Sequence, residues 1–170
     1  MEPFTAYDNG IGFANAFRLL LSRTSLSALS KSQSYTDATM IMPTIVNGAL
    51  ACELFLKALI NDKCYGHSIL ELLNEAEQKN PGMKQNLQSQ CISFMQTRKG
   101  NNEYTEEKYG EDLKRFDKSF VVLRYWHEPR QSTADEVYSL DFLEVLVAIL
   151  QTLCIQKYGT RPVSGKWSLH

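Results

Sequence analysis

The stretch Met40 to Ile60, MIMPTIVNGALACELFLKALI, decides the fold class. Its apolar residues (Ile45, Val46, Leu50, Leu54, Phe55, Leu56, Leu59 and Ile60) fall on every side of a helical projection. A helix that is apolar all round is surrounded either by protein or by lipid. Glu53, Lys57 and Pro43 interrupt this one, whereas a membrane span wants ~20 residues with few or no charges. The expectation is a central core helix of a helical bundle, ending near Asn61, and no membrane span.

Working outward, the apolar spacing stays helical and no stretch alternates as a strand would. Upstream, Phe13, Phe17, Leu20, Leu21 and Ala28 mark one face of a helix expected from Gly10 to Ser30, followed by the polar connector Ser30-Lys31-Ser32-Gln33-Ser34. Downstream, Lys63-Cys64-Tyr65-Gly66-His67 reads as a turn, and Ser68-Ile69-Leu70-Glu71 fits a capping box. In such a box Ser68 accepts from the Glu71 N–H and Glu71 reaches back to the Ser68 N–H. The third helix then ends at Asn80-Pro81-Gly82, and a fourth is expected from Met83 to Gln96 with Leu87, Cys91, Ile92 and Met95 inward. After a polar loop, a fifth is expected from Glu106 to His127, carrying Leu113, Phe116, Phe120, Leu123 and His127 on one stripe and stopped at Glu128-Pro129. The last, Leu140 to Tyr158, is apolar on both faces. That width suits either a second central helix or a surface shared with another copy of the chain. About six helices with short links make an all-α bundle, expected as one domain over residues 1–158 with a loose tail at 159–170.

The bulk numbers agree. A chain of 170 residues with 44% apolar content can bury a core without staples, and 9 Gly and 5 Pro exclude a linker-rich or collagen-like chain. Eighteen basic against 19 acidic residues give a net charge of −1, which excludes a bulk electrostatic grip on nucleic acid and leaves only a local site for such a role. Cys52, Cys64, Cys91 and Cys154 include no CxxC pair, so they read as reduced structural thiols, not as a zinc set or a disulfide framework. The start, MEPFTAYDNG, lacks the basic and apolar regions of a signal peptide. Together these imply a cytoplasmic protein.

P-loop, GxGxxG, HExxH and GxSxG signatures are missing, and His67, His127 and His170 are too scattered to suggest a closed metal site. No metal and no cofactor is expected. Glu53 and Lys57 stand four apart in the favourable order for an in-helix ion pair. They either satisfy each other at the bundle edge or form the wall of a polar pocket. His67 precedes the capping serine, so it either packs at the helix entry or joins a site where the helix N-terminus holds an anion such as phosphate. Arg124, Tyr125, Trp126, His127 and Glu128 form the richest cluster. Arg124 and His127 share a helix face, and a histidine with an arginine supplies the acid–base group and the phosphate clamp of metal-independent RNA cleavage. The structural alternative pairs Arg124 with Glu128 and lets His127 cap its helix.

Three blocks carry a family resemblance. Residues 47–60, NGALACELFLKALI, resemble the central helix of HEPN-domain proteins; residues 66–73, GHSILELL, are similar to the helix start in that superfamily; residues 120–128, FVVLRYWHE, are similar to a later segment of it. The blocks lie in the family's order and span about half the chain. The resemblance implies an up-and-down helical bundle that works as a homodimer. It implies functions ranging from metal-independent endoribonuclease toxins and defence components, which partner a cognate nucleotidyltransferase in toxin–antitoxin pairs, to inactive RNA- or nucleotide-binding modules. By it, Arg124 and His127 are the catalytic candidates; Glu53, Lys57, His67 and Tyr125, by their placement in the sequence, are the ligand-binding ones. The nuclease branches place four to six residues between the Arg and the His, but here only Tyr125 and Trp126 intervene. The expected function is therefore binding of RNA, a nucleotide or a partner protein without efficient catalysis. An atypical endoribonuclease and a structural dimerisation subunit are the alternatives.

Overall fold

The computed structural model describes residues 3–29, 35–62, 64–117 and 139–160. Among them the chain forms six helices and no strand: α1 (Pro3–Leu29), α2 (Tyr35–Ile60), α3 (Ile69–Lys79), α4 (Met83–Thr97), α5 (Glu106–Phe116) and α6 (Leu140–Tyr158). This is an all-α helical bundle. The expected continuation of the fifth helix to His127 lies outside the described residues, as do its stop at Glu128-Pro129 and most of the expected tail.

Helix α2 is the centre. Ile45, Leu54, Phe55, Leu56, Leu59 and Ile60 are buried along it, while Val46 and Leu50 are half-buried. Two glycines let its neighbours approach. A Cβ on Gly48 would stand 2.6 Å from Leu143 of α6 and 2.9 Å from Phe17 of α1, and one on Gly10 would stand 2.8 Å from the Phe55 ring. Residues 10 and 17 of α1 thus face residues 55 and 48 of α2, so these helices are antiparallel. Leu143 lies at Gly48, the Cys154 thiol at the Phe55 carbonyl and the Tyr158 hydroxyl at the Ala58 carbonyl, so α6 runs parallel to α2.

α1 starts seven residues earlier than its apolar pattern suggests. Pro3 is the first helical residue, a position for which its fixed φ is suited. Gly10 does not end the helix, because its missing side chain is what Phe55 packs against. The deepest residues of α1 therefore include Ala6 and Tyr7 as well as Ala14 and Phe17. The two-faced apolar surface of α6 is consumed within the chain: Phe142, Leu143, Val145, Leu146, Val147, Ile149, Leu150 and Cys154 are all buried. Its width thus makes α6 a second central helix and no longer argues for another copy. By length and composition Met40–Ile60 could cross a membrane, but 72% of that window is buried inside the bundle.

The α4–α5 end carries a polar cluster in the core. Asp112, 1% exposed, accepts from the Tyr104 hydroxyl at 2.9 Å and from Arg115 at 3.3 Å. The neighbouring Tyr109 hydroxyl is buried and has no hydrogen-bond partner among the described residues. Burial without a partner costs a hydroxyl about 1–3 kcal/mol. Tyr109→Phe should therefore raise stability by about 1 kcal/mol, seen in urea unfolding as a higher midpoint at unchanged slope. A lowered midpoint would show that the hydroxyl is satisfied.

Candidate polar site at the α2–α3 junction

Glu53 is 3% exposed on the most apolar helix of the protein, and a carboxylate there needs partners. Lys57, one turn on, places its Nζ 2.8 Å from Glu53 Oε1 and is 14% exposed. The second partner arrives from the connector. Helix α2 ends at Ile60 and is stopped by Asn61, whose positive φ of 58° turns the chain and whose N–H bonds the Lys57 carbonyl at 3.3 Å, an αL-type stop. The connector then folds back along α2 by about two turns. This brings His67 level with Glu53, its Nδ1 3.1 Å from both carboxylate oxygens. The imidazole stays 55% exposed, so it links a buried carboxylate to the surface. Of the candidate ligand-binding residues, Glu53, Lys57 and His67 thus come together. The in-helix pair forms as its spacing suggests, at a partly buried position with a histidine added.

The entry of α3 holds His67 in place. Ser68 is the N-cap, and its hydroxyl accepts from the Glu71 N–H at 3.1 Å. The other arm of the capping box, from Glu71 back to the Ser68 N–H, is not formed. Asp117, at the end of α5, acts instead. Its carboxylate accepts from the Ser68 hydroxyl at 2.6 Å and the Leu70 N–H at 2.8 Å, and its carbonyl accepts from the Ile69 N–H at 3.0 Å. The first N–H groups of α3 are therefore spent inside the protein. These donors are thus satisfied without a phosphate. The surroundings point the same way: the Glu71 carboxylate lies near Gly66, Glu75 acts on the Cys64 thiol, and Lys57 is committed to Glu53. Asp117→Ala removes the carboxylate that accepts from two donors, the Ser68 hydroxyl and the Leu70 N–H, and we expect a loss of about 2 kcal/mol, the upper end for a cap. Guanidinium unfolding checks it, and a change below about 0.5 kcal/mol would make the contact incidental.

Arg124, Tyr125 and His127 lie outside the described residues. Among the described residues no group of three or more His, Cys, Asp or Glu side chains is placed to hold a metal ion. The four cysteines are free, and Cys52, Cys91 and Cys154 are buried. Burial pushes the thiols of Cys91 and Cys154 up to about 12 and that of Cys52 higher still, which keeps them protonated and unreactive.

Asp117 is the site residue that sequence reasoning missed. It lies 49 residues from Ser68, and nothing in the local pattern of either segment announces the pairing. Searches of protein-family models, curated proteins and solved structures find no match to this chain.

Proposed function

We propose that this chain is an HEPN-like module that binds single-stranded RNA without efficient catalysis, working as a homodimer in the cytoplasm, in a defence or toxin–antitoxin setting with a nucleotidyltransferase as its partner. The observation that carries the reading is the contact between the first two blocks. Glu53 of the first, paired with Lys57, touches His67 of the second, and Asp117, three residues before the third in sequence, holds the entry of α3. Two stretches that resemble one family in sequence order thus meet at one corner of the bundle.

In this reading Arg124 supplies the phosphate contact, since the α3 N-terminus is occupied and Lys57 is paired. Cleavage without metal needs a base at the 2′-hydroxyl and a cation at the phosphate. With two residues between Arg124 and His127 in place of four to six, the base is displaced by about a helical turn from the wider arrangement, and about 1 Å of misplacement already costs 10²-fold. The test is incubation of the purified protein with mixed-sequence RNA in EDTA, with binding followed by fluorescence anisotropy. Binding that falls in Arg124→Ala, with no more than traces of cleavage, is expected. Robust cleavage abolished by both Arg124→Ala and His127→Ala would make the endoribonuclease reading the right one.

A further inference from the structure

Helix α4 carries an aromatic ring that the bundle does not use. Phe94 is 42% exposed, although Cys91 and Met95 on the same helix are buried in the core. A single exposed apolar side chain needs no explanation, but this one sits beside an arginine. Arg98, one turn on, places its guanidinium carbon 5.7 Å from the centre of the Phe94 ring, a cation–π distance. Among the described residues Arg98 joins no ion pair. One turn before Phe94, Gln90 donates to the Asn86 side chain at 2.9 Å. Asn86, Gln90, Phe94 and Arg98 are therefore spaced by four and form one row along the helix. No Asp or Glu occurs from Gln78 to Asn102. The acidic side chains that touch this helix and the loop after it are already engaged. Glu77 accepts from the Gly82 and Lys84 N–H groups, and Asp141 and Glu144 are paired with Lys99.

We propose that this row binds single-stranded RNA, with an unpaired base stacked on Phe94 and an adjoining phosphate held by Arg98. This rests on the RNA-binding reading above and adds a surface on which the bases lie. Every base has a π-face, so an exposed ring accepts one without sequence preference. An arginine without a carboxylate partner keeps its charge for a phosphate, which its planar fork grips bidentately. The amides of Asn86 and Gln90 carry both donors and acceptors, which suits the exposed edges of unpaired bases. In a duplex the bases are already paired and stacked, so the row favours single strands. It also stands apart from the corner of Glu53, Lys57 and His67. Gln96 ties the end of α4 to the start of α5 through the Tyr104 carbonyl, whereas Asp117 holds the α3 entry from the other end of α5. Those two ends are about 16 Å apart, so substitutions in the row leave that corner intact.

The experiment measures anisotropy with a fluorescent oligoribonucleotide, single-stranded and annealed to its complement. The wild type should bind the single strand more tightly. Phe94→Ala should weaken single-strand binding by about 5- to 100-fold, the worth of one stacked base. Phe94→Trp should retain the affinity, and Phe94→Leu, which keeps apolar bulk without a π-face, should behave like Phe94→Ala. Arg98→Gln should weaken binding and lower the slope of log Kd against log salt by about 0.7, the share of one phosphate contact on a single strand. Both side chains are exposed, so the variants stay folded, and urea unfolding verifies this. Single-strand affinity indifferent to Phe94→Ala, a loss in Phe94→Trp as large as in Phe94→Ala, or an equal loss on the duplex would overturn the inference while the RNA-binding reading stands. If the oligoribonucleotide binds in neither form, that reading fails and the inference fails with it.

Discussion

Phe142→Ala is expected to cost about 3–5 kcal/mol, the range for a fully buried aromatic. Phe142 is 0% exposed at the start of α6 and lies among three other rings: Phe116 at 5.9 Å, Tyr109 at 5.8 Å and Tyr104 at 6.5 Å between centroids. Truncation opens a cavity that these rings cannot close without giving up their own packing. One of them, Tyr104, also donates to the buried Asp112. The loss should appear in guanidinium unfolding as a lower midpoint, and a variant within about 1 kcal/mol of the wild type would mean that the α4–α6 end is loosely packed.

Lys57→Met gives the second large effect. It leaves the Glu53 carboxylate on a buried stretch of α2 with only His67 beside it. Removing one partner of a buried pair costs about 3–5 kcal/mol, because the remaining charge is left uncompensated. The histidine contact puts the expectation near 3 kcal/mol, the low end of that range. Replacing both Glu53 and Lys57 by Met should cost less than Lys57→Met alone, since no unpaired charge remains. Stabilities of the two single variants and the double variant measure the coupling. Additive losses would show that the two groups are independently solvated.

How much of this was legible in advance follows the range of the interactions. Helix α2 and its central place follow from apolar residues on all sides, and Glu53–Lys57 from spacing of one turn, which is local geometry. The Ser68 cap and the bounds of α3, α4 and α6 are local as well. The early start of α1 was hidden because Gly10 reads as a breaker when its neighbour Phe55 is unknown. The role of α6 was ambiguous for a related reason: a two-faced apolar helix looks the same whether its own chain or another covers it. At the site, spacing and position singled out Glu53, Lys57 and His67, but their assembly depends on the connector folding back from Asn61. The anchor that steadies it, Asp117, belongs to a different helix altogether.

The central claim is that residues from the three blocks act on one ligand. A double-mutant cycle on single-stranded RNA binding tests it most directly, using His67→Ala, Arg124→Ala and the combined variant, with Kd from anisotropy in EDTA. If both residues contact the same bound RNA, their effects should be coupled by about 0.5–3 kcal/mol, with the double variant losing less than the two single losses together. Losses that add to within about 0.3 kcal/mol, or an RNA affinity untouched by either substitution, would contradict the account.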